Sequence, residues 1–245
     1  MTLINSAPQR LYLMQLSTIT IPLPTGKKMA MSEGCYLVQM GDGKNILIDS
    51  GSPADHTPPG MPPADYKKNV LDHLAELNLH PDDIDLLICT HFDLDHAGYH
   101  DAFTSAELIV QREQYELARS GHPRFAGARP HWDHPALNYR LIDGDLELLP
   151  GLQLIRTDGH AYGHQSVLVY LPETGPVLLA IDAVVMQRLF TPDRQPWPMD
   201  DNEEQLLAST RKLLDLVERE HVALTVFGHD GEQWQTLKKA PAFYA

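Results

Sequence analysis

The sequence predicts an α/β domain in which sets of strands form sheets that pack on one another and carry helices outside. Three observations predict it. Short apolar runs bounded by Gly, Pro, Asn and Asp come in groups along the chain. Between the groups, apolar residues recur at helical spacing. At 245 residues the chain is long enough for one substantial core, so a single domain over 1–245 is the expectation.

Taken in order, 11–16, 35–40 and 45–49 read as strands, with Gly41-Asp42-Gly43 as the hairpin turn between the last two. Val70, Leu71, Leu74 and Leu77 share one helical face, and His80-Pro81 stops that helix. The apolar run 85–90 is a short buried strand, 107–110 another strand, and 112–119 a helix. Segments 152–157, 166–171 and 177–181 are strands separated by turns. Leu206, Leu207, Thr210, Leu213, Leu214 and Val217 mark a long amphipathic helix, and 222–227 a final strand. Three stretches, 52–63, 121–135 and 191–200, are rich in Pro and Gly with His, Trp and Phe, a composition that suits lids or binding walls as well as plain connectors.

Composition excludes several classes. An apolar fraction of 43% and a charged fraction of 21% are ordinary for a soluble globular protein. The formal charge of −14 argues against nucleic acid or an anionic membrane surface as partner, and bound cations would offset part of it. The apolar run at 11–16 is too short for a signal peptide and is broken by Gln15; no run approaches a membrane span. Cys35 and Cys89 lie in strand-like runs and are expected as buried free thiols. The expected location is the cytoplasm.

The chemistry concentrates in His91-Phe92-Asp93-Leu94-Asp95-His96, where two imidazoles and two carboxylates crowd one stretch. Such a cluster costs stability unless something neutralises it, and a pair of divalent cations would do so. It follows the strand 85–90, so it belongs in the loop at a strand's C-terminal end, where α/β proteins place their sites. In extended backbone His91, Asp93 and Asp95 would point one way, Phe92 and Leu94 into the core, and His96, out of phase, toward a second ion. The plain alternative is a solvated acidic loop with incidental histidines. Three more strand ends add His160 and His164, Asp182, and His229. No metal role is assigned to His56, His73, His80, His122, His131, His134 or His221.

At these residues the chain resembles the metallo-β-lactamase superfamily, and within it the N-acyl-homoserine lactonase family of quorum-quenching enzymes. The superfamily pattern His-x-His-x-Asp-His, a downstream Gly-His, an Asp and a final His is followed from about Cys35 to His229. Cys35-Tyr36-Leu37, Ile48-Asp49-Ser50-Gly51, Ile109-Val110-Gln111-Arg112, Leu137-Asn138-Tyr139, Gly163-His164-Gln165-Ser166 and Phe227-Gly228-His229-Asp230 resemble the family's signature stretches. The resemblance implies a four-layer αββα sandwich. It implies one ion held by His91, Asp93, His164 and Asp182, and a second by Asp95, His96 and His229, with Asp182 bridging. Asp49 matches a bracing aspartate, and His160 a position near the metals that is not a ligand.

Two positions depart from the family. Asp93 stands where the family has His, and a third aspartate tilts the implied zinc pair toward iron or manganese. Val185 stands where lactonases carry a Tyr that polarises the lactone carbonyl. Losing one such donor costs on the order of a hundredfold in rate; Tyr162, Tyr99 and His160 are candidates to replace it. The expected reaction is opening of a lactone ring, N-acyl-homoserine lactone foremost, by a metal-bridging hydroxide, with Asp95 as the catalytic proton carrier. Phe92, Leu94, Trp132, Phe190 and Trp197 are candidates for an acyl-chain wall. The alternatives are another ester, thioester or phosphodiester hydrolase of the same fold, or a di-iron redox protein.

Overall fold

The computed structural model describes residues 6–23, 25–53 and 62–245. A long antiparallel hairpin, β1 (Pro8–Pro22) and β2 (Lys28–Met40), continues through the turn at 41–43 into β3 (Asn45–Ile48). The short β4 (Asp65–Tyr66) borders β1, and α1 (Val70–Glu76) follows, capped by Asn69, whose side chain accepts the Asp72 N–H. β5 (Leu86–Ile88), α2 (Leu94–Ala97), β6 (Glu107–Gln111), α3 (Arg112–Arg119), α4 (Arg129–Trp132) and β7 (Asn138–Ile142) complete the first half. These strands form a seven-stranded sheet in the order β4-β1-β2-β3-β5-β6-β7, parallel from β3 to β7.

The second half contributes β8 (Leu146–Leu149), β9 (Leu152–Arg156), β10 (Gln165–Leu171), β11 (Gly175–Ile181), α5 (Glu203–Arg219), β12 (Leu224–Phe227) and α6 (Gly231–Thr236). Its five-stranded sheet has the order β12-β11-β10-β9-β8. The two sheets face each other across a shared apolar layer. Period-two alternation decides which side chains enter it: Leu11 and Leu13 of β1 meet Leu154, Val167 and Leu179 between the sheets. Tyr12, Met14 and Leu16 point the opposite way, into a layer with Val70 and Leu74 of α1. On the far side Leu168 and Leu178 pack against Leu213 and Leu216 of α5. Helix, sheet, sheet, helix is the αββα sandwich expected.

Every expected strand and helix is present, most within two residues of its predicted ends. The hairpin is longer than its apolar stretches because both strands continue past them as a two-stranded ribbon. β7, β8 and α6 carry no strong periodicity. β7 alternates exposed and half-buried residues at a sheet edge, and α6 is anchored by the single buried Trp234, whose indole N–H donates to the Phe227 carbonyl (3.2 Å). Of the irregular stretch 52–63, residues 54–61 lie outside the described residues. The stretch 121–135 is framework rather than a bare loop, since it contains α4 and buries Phe125 and Trp132. Among the described residues no helix is long and apolar enough to cross a membrane. Cys35 and Cys89 are free and buried, as expected.

Candidate metal centre

The parallel register brings the C-terminal ends of β3, β5, β9, β11 and β12 to one edge of the sandwich. Asp49 leaves β3 with a left-handed φ of 58°, and its fully buried carboxylate accepts from Thr90 N (2.8 Å) and Thr90 Oγ1 (2.7 Å). After β5 the chain does not stay extended through the cluster. The Asp93 carbonyl accepts from His96 N (3.0 Å) and Ala97 N (2.9 Å), which starts α2 directly after Asp93. The helical turn, rather than strand alternation, therefore carries Asp95 and His96 round to the site. Phe92 does enter the core, stacked on Trp132 at 5.1 Å, whereas Leu94 stays half-buried on the turn.

His164 lies just before β10, after Gly163, whose φ of 71° and closeness to Gln114 (an added Cβ would sit 2.6 Å from its backbone N) exclude a side chain. Ile181 ends β11 at φ 52°, ψ −139°, a costly conformation for a β-branched residue that turns Asp182 into the site. His229 follows β12, its N–H bonded to the Val185 carbonyl (2.9 Å).

Each histidine is held by its Nδ1 and aims its Nε2 inward. His91 Nδ1 meets Thr90 Oγ1 (3.0 Å), His96 Nδ1 meets Asp49 Oδ2 (2.8 Å), His164 Nδ1 meets Thr157 Oγ1 (2.9 Å), and His229 Nδ1 donates to the Ser32 carbonyl (2.9 Å). Nδ1 anchoring of this kind fixes tautomer and ring orientation in metal-ligating histidines. The inward Nε2 atoms of His91, His96 and His164 and Oδ1 of Asp182 are buried and have no hydrogen-bond partner among the described residues. Orphaned buried acceptors are rare in folded proteins unless an ion or water completes them.

Three overlapping groups each close to within 4.8 Å: His91 with Asp93 and His160, His91 with His96 and Asp182, and Asp95 with His96 and His229. His164 joins none of these groups; its ring centroid is 5.0 Å from that of His91. The donor set, imidazole nitrogens and carboxylates at short mutual range, suits divalent cations.

The electrostatics agree. Burial opposes ionisation of Asp182, yet His229 and His96 hold its carboxyl well below the usual carboxylate range. Burial likewise opposes an imidazolium at His229, but Asp182 at 3.0 Å and then Asp95 push its pKa up to about 9. At His96 burial is outweighed by Asp95, Asp182 and Asp49, and its pKa is raised well above the ordinary value. Burial and then neighbouring histidines push His91 and His164 down, so they keep their lone pairs. The carboxylates thus demand positive charge, which divalent cations bound among these side chains would supply.

Some members of the site carry no motif. Thr90, Thr157 and Ser32 act through a hydroxyl or a carbonyl that only the tertiary structure aims. Arg124 comes from the turn Pro123–Phe125 and clamps Asp93 through Nε to Oδ1 (2.8 Å) and Nη2 to Oδ2 (2.6 Å). His160 enters the cluster, its Nε2 3.4 Å from Asp182 and 3.5 Å from Asp93, while its Nδ1 is tied to Asp200 (2.9 Å). Val185 is buried and offers no donor. Of the proposed wall residues, Phe92 and Trp132 are core, and Phe190 packs edge-on against Phe227 at 5.6 Å.

Residues 33–229 match the model of the metallo-beta-lactamase superfamily. The chain belongs to that superfamily. Among superfamily members it is 32% identical over 240 residues to N-acyl homoserine lactonase AiiA of Bacillus thuringiensis subsp. kurstaki, covering 93% of this chain and 92% of that protein. It is 35% identical over 217 residues to N-acyl homoserine lactonase AttM of Agrobacterium fabrum, covering 83% and 81%. A crystal structure of a quorum-quenching N-acyl homoserine lactone lactonase superposes with a TM-score of 0.86 at 30% identity, over 98% of this chain and 100% of that one. A structure of N-acyl homoserine lactone hydrolase with the product N-hexanoyl-L-homoserine at its catalytic metal center superposes at 0.84, with 29% identity, 97% of this chain and 100% of that one.

Proposed function

We propose that this superfamily member opens the ring of lactones, N-acyl homoserine lactones foremost, as one domain over 1–245. The observation that carries the reading is a coincidence of two kinds of likeness. The inward-facing imidazoles and carboxylates gather at the strand ends, in a chain 32% identical to an N-acyl homoserine lactonase across 93% of its length. We assign His91, Asp93, His164 and Asp182 to one divalent ion and Asp95, His96 and His229 to a second, with Asp182 shared. Zinc is the metal we favour, with iron or manganese open to a set this rich in carboxylate.

Bound divalent ions would supply Lewis acidity toward an ester carbonyl and bring the pKa of water toward neutrality. The chain's own groups then divide the work. Asp95, whose side chain is 38% exposed, faces solvent and substrate, whereas Asp182 is buried. Asp95 takes the proton of the attacking water. As the acyl carbon–oxygen bond breaks, Asp95 returns that proton to the ring oxygen, and the product is a hydroxy acid. Asp95 Oδ2 lies 3.9 and 3.5 Å from the Nε2 atoms of His96 and His229, the groups assigned with it to the same ion. For the acyl chain we assign Leu94, Trp197 and Met199, the last 59% exposed on the loop whose carbonyl Arg124 holds at 2.8 Å. The buried thiols of Cys35 and Cys89 suit a reducing compartment, and we place the protein in the cytoplasm.

The test is ring opening of acyl-homoserine lactones of several chain lengths, followed by proton release. Enzyme reconstituted separately with zinc, manganese and iron is compared with an Asp182→Ala control. Metal-dependent turnover that disappears in the control is expected. No turnover with any metal, from protein holding two ions per chain, would sink the lactone assignment.

A further inference from the structure

Asp93 differs from the other carboxylates of the cluster in what already holds it. Within 4 Å, Asp95 and Asp182 pair only with imidazole nitrogens among the described residues. Asp93 lies 3.5 Å from the Nε2 atoms of His91 and His160 but also gives both oxygens to the Arg124 guanidinium in a bidentate fork, at 2.8 and 2.6 Å. Such forks are the strong form of carboxylate pairing. Arg124 is not free to leave. Its Nη1 also serves the His160 carbonyl (2.7 Å), the Met199 carbonyl (2.8 Å) and Asp201 Oδ1 (2.8 Å), and its Nη2 meets His160 Nε2 (2.9 Å). The side chain is only 11% exposed, so water screens the pair weakly.

We propose that Arg124 competes with a metal ion for Asp93 and so makes the two ion positions unequal. The position built on Asp95, His96 and His229 fills first and holds its ion tightly. The position built on His91, Asp93 and His164 fills later and releases its ion readily. A carboxylate already shared with a guanidinium donates less charge to a cation, and the fixed positive charge beside it repels that cation. The inference rests on the ligand assignment above but not on the lactone as substrate.

The experiment is a titration of metal-stripped full-length protein with zinc against a chromophoric chelator, with bound metal counted after dialysis. Two steps separated by about tenfold or more in affinity are expected, the scale on which groups behind the ligands tune a site. Arg124→Gln should tighten the weaker step and bring the two together. Arg124→Lys, which keeps a cation among the same acceptors but cannot form the two-pronged fork to Asp93, should narrow the gap part of the way and covers the case where Arg124→Gln fails to fold. Two equal steps in the unaltered protein would overturn the proposal. So would variants that lower the melting temperature while leaving the ratio of affinities unchanged, because Arg124 would then be only a tie between loops. Protein that binds no zinc would overturn the ligand assignment and this proposal with it, whereas two unequal steps with no lactone turnover would leave the proposal standing and remove only the substrate.

Discussion

Replacing Asp49 by Asn changes one atom and should disarm two of the inward-facing imidazoles. In the native site Asp49 Oδ2 accepts from Thr90 Oγ1 (2.7 Å) and His96 Nδ1 (2.8 Å), while Oδ1 accepts from Thr90 N (2.8 Å). An Asn must keep its oxygen on Thr90 N, which places its NH2 against Thr90 Oγ1 and His96 Nδ1. The His96 Nδ1 must then accept, so its proton moves to Nε2 and points into the site. The Thr90 hydroxyl, now an acceptor from Asn, turns its own hydrogen to His91 Nδ1 at 3.0 Å, and His91 likewise carries its proton on Nε2. Loss of one group behind a metal ligand costs about 10–100-fold in affinity. With two imidazoles affected, the upper end applies, about 2.7 kcal/mol. Exchanging charge-assisted for neutral hydrogen bonds should also lower the stability of metal-free protein by about 2 kcal/mol. Chelator competition reads the first quantity and urea unfolding the second. Asp49→Asn protein that holds zinc within about threefold of the native value would refute the tautomer argument, whatever its stability.

Two further predictions probe the surroundings of the site. A Cβ at Gly228 would run into Asp182 Oδ1 and lie 2.8 Å from the Ile181 carbonyl oxygen, so Gly228→Ala should displace the shared carboxylate. Overpacking of this kind costs about 1–3 kcal/mol; a melting curve should fall accordingly and lactone turnover by at least about tenfold, and unchanged turnover would show that Asp182 has room to shift. His100, buried against Ser50 Oγ at 2.7 Å, is pushed down from 6.5 to about 4 by burial. Its folded pKa lies below its unfolded one, so its contribution is full above about pH 6.5 and is lost as pH falls toward 4. Relative to a His100→Gln variant, native protein should lose about 2–3 kcal/mol between neutral pH and about pH 4.5, and parallel stability curves would contradict the assignment.

Much of this protein is legible in one dimension because its physics is local. Apolar runs such as those of β5, β10 and β11 identify strands buried on both faces, and the spacing along α5 identifies a helix with one buried stripe. The cluster at 91–96 announces cations because neighbouring carboxylates and imidazoles need them wherever the chain goes. The resemblance carried by these residues extended that reading to the αββα sandwich and to His164, Asp182 and His229. Local pattern failed where the tertiary contact is the cause. Alternation placed His91 through Asp95 in extended backbone, but the Asp93 carbonyl captures two amides and winds α2. β7 and α6 form because a sheet edge and the buried Trp234 anchor them, and the alternation of exposed with half-buried residues in β7 and the one large buried side chain of α6 are weak local signals. Arg124 is the plainest case. It stands 31 residues from Asp93 in a stretch without a motif, and only the folded chain, by closing the His160 and Met199 carbonyls, the Asp201 carboxylate and His160 Nε2 around its guanidinium, turns an ordinary arginine into the fixed charge beside one ion position.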